Sequence, residues 1–165
     1  MSAIRLGWYK IHYPMEFYAA YLSVAPGGFD AEIVLGGKRN VRRVIDEIAG
    51  KAQGEATQKD KEMMATLQLV EESMARGVKY LPPDLYHSDY RRFLPEDGRI
   101  RMPFTALAGL GETAAQKIVE ARATGEFYSV EDLRNRAGLS KSVIELLRKI
   151  DALKDLSETN QYSFF

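Results

Sequence analysis

Apolar residues recur at helical spacing through most of the chain, and glycine and proline cut the pattern into short elements. Val41, Val44, Ile45 and Ile48 share one face of the stretch from Lys38 to Ala49, with Arg39, Arg42, Arg43 and Glu47 on the wet side, which predicts an amphipathic helix stopped by Gly50. Thr57 followed three residues later by Asp60 is a variant of the capping box. Met63, Leu67, Val70 and Met74 then repeat every three or four residues, predicting a helix from Gln58 to Arg76 closed by Gly77. At that spacing the methionines read as core filler. Upstream, an apolar and aromatic opening runs to Pro14, which suits the first position of a helix reaching about Val24. Pro26-Gly27-Gly28 ends it, and a short turn of helix follows Phe29 before Gly36-Gly37. From Val78 the pattern changes, and two short runs around Asp97-Gly98 predict a β-hairpin. Beyond it the chain reads helical again in short pieces. Residues 155–165 are polar and then abruptly aromatic, without periodicity, and read as a flexible tail.

Composition narrows the classes. At 165 residues, 28% charged and 45% hydrophobic, the chain suits one domain of roughly 100 to 200 residues or two small ones, and long disorder is excluded. Without cysteine there is neither a disulfide framework nor a thiolate zinc site, and the two histidines, His12 and His87, stand far apart in the chain. No apolar run approaches the ~20 residues of a membrane span, and the opening five residues lack an apolar signal core, so a soluble cytoplasmic protein is expected. Lys plus Arg and Asp plus Glu both total 23, a balance that by itself points to no partner. The distribution is uneven: residues 99–154 carry 10 basic and 7 acidic side chains, the most basic stretch of the chain.

That stretch holds the sharpest local signal. In Pro103-Phe104-Thr105-Ala106-Leu107-Ala108-Gly109-Leu110-Gly111, two glycines flank one apolar residue between two predicted helices, so the backbone can turn tightly and approach a ligand with no Cβ in the way. The next helix starts at once with Glu112, Thr113 and Ala114. Its first amides lack intrahelical partners and its dipole is positive there, a small anion site suited to a phosphate oxygen, with Lys117 one turn on. Leu110 is the expected anchor of the turn. Taken alone, Gly-x-Gly also fits an ordinary helix–helix turn. A second unit shifts the balance: Ser129 with Asp132 makes another capping box, and Gly138-Leu139-Ser140 leads into Lys141 and Ser142 and an apolar series of Val143, Ile144, Leu147 and Ile150.

The separation of 29 residues between Gly109 and Gly138, with this composition, resembles a tandem helix-hairpin-helix module, in which paired hairpins straddle the backbone of duplex DNA without reading bases. The second hairpin has Ser140 where that family prefers glycine. At the other end, Gln161-Tyr162-Ser163-Phe164-Phe165 places three aromatic side chains where burial is hard, as docking segments do. It resembles the bacterial sliding-clamp-binding motif Gln-Leu-Ser/Asp-Leu-Phe, with Tyr162 and Phe164 in place of leucines.

Together and in this order, the two features resemble the carboxyl end of the PolC-type DNA polymerase III alpha subunit. Trp8-Tyr9-Lys10-Ile11-His12-Tyr13-Pro14-Met15-Glu16-Phe17 is similar to a stretch in the fingers of C-family polymerases, and Arg76-Gly77 through Pro83-Asp84-Leu85 and Ser88 to the segment before the hairpin. DnaE-type subunits continue with an oligonucleotide-binding fold, whereas here the clamp motif ends the chain, which favours PolC. The resemblance implies a mainly α fold with a small β-hairpin: end of fingers over 1–88, hairpin plus tandem helix-hairpin-helix over 89–154, and a flexible clamp-binding tail over 155–165.

It further implies primer–template duplex, the sliding clamp and the remainder of the alpha subunit as partners. The expected phosphate contacts are Gly109, Leu110, Gly111, Thr113, Ala114, Lys117, Gly138, Ser140, Lys141 and Ser142, and the clamp contacts are Gln161, Tyr162, Ser163, Phe164 and Phe165. Magnesium and the palm carboxylates that hold it belong upstream in such a polymerase, so no catalytic residue, metal or cofactor is expected in this segment. Asp84, Asp89, His12 and His87 read as structural. Two other readings stay open: a helix-hairpin-helix glycosylase or lyase, for which Gly125-Glu126-Phe127-Tyr128 lacks the catalytic Asp or Lys soon after the hairpin, and an interaction adaptor whose Gly-Leu-Gly is only a helix cap.

Overall fold

A computed structural model describes residues 3–24 and 27–160. The opening, which the pattern left without a regular element, is helical: α1 spans Ala3–His12 and α2 spans Pro14–Val24. Large apolar groups lie all around α1, with Leu6, Trp8, Tyr9 and Ile11 exposed, so no stripe announces it. Pro14, lacking an N–H, marks the junction, while Tyr13 and Phe17 carry the hydrogen-bond ladder across it at 2.7 and 2.9 Å. Then come α3 over Ala31–Leu35, α4 over Lys38–Ala49 and α5 over Gln58–Ala75, at the places the periodicity predicts.

The α4 and α5 helices form the main helix pair. Val41, Ile45, Leu67 and Val70 are buried along it, and Met63, Met64 and Met74 fill the margins. The start of α5 closes as a reciprocal capping box: Asp60 N–H donates to Thr57 Oγ1 at 3.1 Å and Thr57 N–H donates to Asp60 Oδ2 at 2.9 Å, with Lys51 Nζ on the same oxygen at 2.8 Å. These donors, Lys51 first, hold the Asp60 carboxyl down at about 2.

Next comes a three-stranded sheet. Strands β2, Leu94–Glu96, and β3, Arg99–Arg101, pair antiparallel around Asp97 and Gly98, both at positive φ (49° and 77°), as a type I′ hairpin turn requires. A third strand, β1 at Tyr80–Leu81, adds in parallel on the other side of β3 and was not legible in the pattern. It is two residues long, and Pro82-Pro83 ends its pairing by withholding two N–H donors.

The sheet passes directly into the carboxyl-terminal helices, α6 over Glu112–Arg122, α7 over Val130–Ala137 and α8 over Lys141–Lys149. One contiguous core joins the two halves, running from Tyr18 to Leu153 across the expected boundary at 88/89. Phe29 meets Phe93 edge-on at 4.7 Å, and Ser23 Oγ accepts from Phe93 N–H at 2.9 Å. Fully buried Ser88 is the stitch beneath α6: its hydroxyl donates to Met102 C=O at 2.6 Å and accepts from Asp84 N–H at 2.8 Å. The half-buried Arg122 donates to the carbonyls of Leu85 and Ser88 at 3.0 and 2.5 Å, tying α6 to the same turn.

The Asp60 cap has a measurable signature. Its depressed pKa means that its contribution to stability is present above the ordinary aspartate value near 4 and is lost as pH falls from there through about 2. In a side-chain NMR titration Asp60 should be among the last carboxylates to protonate, and in Lys51→Ala its midpoint should rise toward that of a free aspartate. An unchanged midpoint would detach Lys51 from the cap.

Candidate nucleic-acid interface

The first hairpin departs in one respect from two helices joined by a turn: its leading element is a single 3-10 turn, Phe104–Ala106. Pro103 precedes it and Leu107 is already extended at φ −78°, ψ 118°, so the turn cannot propagate. Phe104 and Thr105 N–H donate instead to the carbonyls of Asp89 and Tyr90, both at 3.1 Å, which fixes the segment on the sheet side. Gly109 follows at φ +94°, a conformation side chains rarely adopt, and a Cβ there would press on Leu146 Cδ1 of α8 at 3.3 Å. Leu110 is 3% exposed and anchors the turn.

Gly111 is different. At φ −74°, ψ 163° it has an ordinary extended backbone, and a Cβ would meet nothing within 4 Å. Nothing inside the molecule requires glycine here. What its lack of a side chain provides is open space over the start of α6, where Ala115 N–H is the first amide to find an intrahelical carbonyl, that of Gly111 at 3.0 Å. Among the described residues, the amides of Glu112, Thr113 and Ala114 meet no acceptor. Thr113 and Lys117 are exposed beside them and Ala114 is half-buried.

The second unit repeats the geometry. Gly138 is left-handed at φ 62°, Leu139 is 5% exposed and anchors as Leu110 does, and Ser140 takes the N-cap. Unlike Gly111, Ser140 caps its own helix: its Oγ accepts from Val143 N–H at 3.3 Å. Only the amides of Lys141 and Ser142 stay open there, with the Lys141 side chain and Ser142 hydroxyl exposed beside them. The second site is therefore the smaller of the two. At α7, by contrast, the amides are all used: Val130 and Glu131 N–H donate to the carbonyls of Ser157 and Glu158 at 2.8 and 3.1 Å, and Asp132 N–H to Ser129 Oγ at 3.0 Å.

The helix-hairpin-helix motif family matches residues 77–162. The chain belongs to the helix-hairpin-helix family. Over its whole length it is also similar to the PolC-type DNA polymerases III of Caldanaerobacter subterraneus, 42% identical over 165 residues, and Thermotoga petrophila, 40% over 163 residues. That of Bacillus cereus is 39% identical over 165 residues. The match takes in 99 to 100% of this chain and spans 11 to 12% of those relatives.

Within the helix-hairpin-helix frame, the expected phosphate contacts fall into two clusters, Gly109 to Lys117 and Gly138 to Ser142, at the open ends of α6 and α8. Glu112 puts a carboxylate in the first turn of α6, which suits the helix dipole and opposes an incoming anion. The clamp residues Gln161, Tyr162, Ser163, Phe164 and Phe165 lie outside the described residues. His12 Nδ1–H donates to Trp8 C=O at 2.9 Å and the ring stacks on that of Trp8, while exposed His87 pairs with Asp84 Oδ1 at 2.8 Å. Asp84 and Asp89 accept from the backbone amides of the next turn. No helix of the described residues is long and apolar enough to cross a membrane.

Arg136 is the residue the pattern gave no hint of. Its guanidinium lies 4.7 Å from the Phe127 ring, pairs with Asp132 at 3.1 Å, and donates to the carbonyls of Ala121, Gly125 and Glu126, holding the α6–α7 connection in shape. The two hairpin glycines should separate in stability measurements. Gly109→Val should cost about 1 to 3 kcal/mol through its positive φ and the Leu146 contact, whereas Gly111→Val should stay within about 0.5 kcal/mol of the parent in urea melts. Equal losses at both positions would contradict the backbone geometry.

Proposed function

We propose that this chain is the duplex-holding and clamp-docking piece of a PolC-type replicative polymerase, working in the bacterial cytoplasm. One observation carries the DNA part: in two units of like sequence, a left-handed glycine and a buried leucine deliver a helix whose first amides are left open, while the intervening helix is closed from within. Open amides at two helix starts suit phosphate oxygens, which are the same at every base pair, so the contact positions duplex DNA and reads no sequence. The similarity to PolC-type polymerases supplies the context. In that reading polymerase chemistry, with its magnesium and carboxylates, belongs to other parts of the parent protein, and this chain alone incorporates no nucleotide.

The clamp part rests on the likeness of Gln161-Tyr162-Ser163-Phe164-Phe165 to the clamp-binding motif. Gln161 would satisfy polar groups at one subsite, and the aromatic rings would fill an apolar cleft. Each buried ring contributes about 1.5 to 3 kcal/mol before ordering costs, so the isolated peptide binds at about micromolar strength. A body already on DNA raises the effective concentration and makes such a contact sufficient.

Two measurements test these halves. Duplex binding should be sequence-independent and fall with salt at a log–log slope of about −3 to −4, as for about three or four neutralised phosphates. Gly111→Val, which puts a side chain into the open space over α6, should weaken it at every sequence alike. Undiminished binding by that variant would remove the hairpin from the interface. For the tail, replacing Phe164 and Phe165 by Ala should abolish clamp binding and leave DNA binding unchanged, and equal clamp affinity for the double variant would exclude the tail as the contact.

A further inference from the structure

The chain expected as a loose tail from 155 onward is tied down through Asn160. Leu153 is buried and Leu156 packs on the core. Ser157 and Ser129 then form a parallel bridge, and the carbonyls of Ser157 and Glu158 take the first two amides of α7 at 2.8 and 3.1 Å. Ser157 Oγ donates to Tyr128 C=O at 3.4 Å, the fully buried Ser129 hydroxyl bonds Asn160 Oδ1, and Asn160 N–H reaches Glu131 Oε2 at 3.3 Å. From the other side Arg148, on α8, grips Glu158 through both terminal nitrogens. Main-chain bonds, side-chain bonds and an ion pair thus converge on Ser157, Glu158 and Asn160, which close the first turn of α7 beside its Ser129 N-cap.

We infer that residues 157–160 are a fixed anchor that roots the C-terminal pentapeptide on the helix-hairpin-helix body at the start of α7. The functional consequence rests on the clamp reading above. An extended chain covers at most about 3.4 Å per residue, so a tail free from residue 155 would reach about 37 Å, whereas five residues beyond Asn160 reach only about 17 Å. A clamp that takes this peptide must therefore sit close against the helix-hairpin-helix body, with little slack between the DNA grip and the clamp grip.

Amide hydrogen exchange on the full 165-residue chain tests the anchor without any partner, and the open helices provide internal controls. First-turn amides ordinarily exchange fast because nothing covers them. Thr113, Ala114 and Ser142 should do so, whereas Val130 and Glu131 should be protected. Glu158→Ala/Asn160→Ala, which leaves the Ser129 cap intact, should speed Val130 and Glu131 about tenfold while Leu133 is unaffected. Exchange of Val130 and Glu131 in the parent chain as fast as that of Thr113 overturns the anchor. Insertion of eight Gly/Ser residues after Asn160 should then weaken clamp binding by the DNA-bound chain about tenfold, since slack dilutes a short rooted tether far more than one already long. An unchanged affinity overturns the claim of close seating. Protected amides together with no clamp binding by the parent chain leave the anchor standing and remove the clamp reading instead.

Discussion

An α-helix begins with amides that no carbonyl of the same helix can reach, and the use of those amides organises this molecule. At α5 they go to a reciprocal Thr57/Asp60 box. At α7 they go to Ser129 and to main chain returning from almost thirty residues downstream. At α6 and α8 they are left wholly or partly open, each time behind a left-handed glycine and a buried leucine. An exposed N-terminus costs little in water, because water satisfies the amides, but that water is replaceable by a ligand bearing anionic oxygens. Closing α7 is thus as informative as leaving its neighbours open, since among the three carboxyl-terminal helices it confines the open amides to the starts of α6 and α8.

Presenting those two ends together demands rigid connections, and buried or half-buried polar side chains supply them alongside the apolar core. Ser88 bonds the pre-sheet turn to Met102, and Arg122 bonds that turn to α6. Arg136 gathers the carbonyls of the α6–α7 loop, stacking its planar fork on Phe127. A lysine carries the same charge but neither the fork nor the plane, so none of this is a matter of charge alone. Leu146, leaning on the Gly109 turn from α8, sets the two hairpins against each other. The core running unbroken from Tyr18 to Leu153 places the amino-terminal helices under the same roof as the hairpins.

Much of this was legible in the residues. Helices α4, α5 and α8 each put apolar side chains on one stripe, and Thr57/Asp60, Ser129/Asp132 and Asp97-Gly98 are local signals whose geometry depends only on near neighbours. The Gly-Leu repeat was legible for the same reason. What escaped depends on distant partners. The α1 helix exposes large apolar groups on every side, so its period is hidden. Strand β1 exists because β3 offers it an edge. The anchor at 157–160 carries polar residues that look like tail until α7 is in place to receive their carbonyls. Within the site, the two hairpin glycines read alike in sequence, and only the backbone angles show that Gly109 serves the turn and Gly111 serves the space above it.

The near-absence of net charge fits this arrangement. A surface that held DNA by charge density would need a large excess of cations, yet the chain is neutral overall and Glu112 sits at one of the two open ends. Amides fixed in direction and backed by a helix dipole hold a phosphate by placement, at a modest strength per site. Two such sites on one rigid body share a single loss of translational freedom, so the second contact comes at a lower entropic cost than the first. In the proposed function, a grip assembled from a few weak, oriented contacts holds a backbone without reading it and lets go one contact at a time, which suits a duplex that has to move through it.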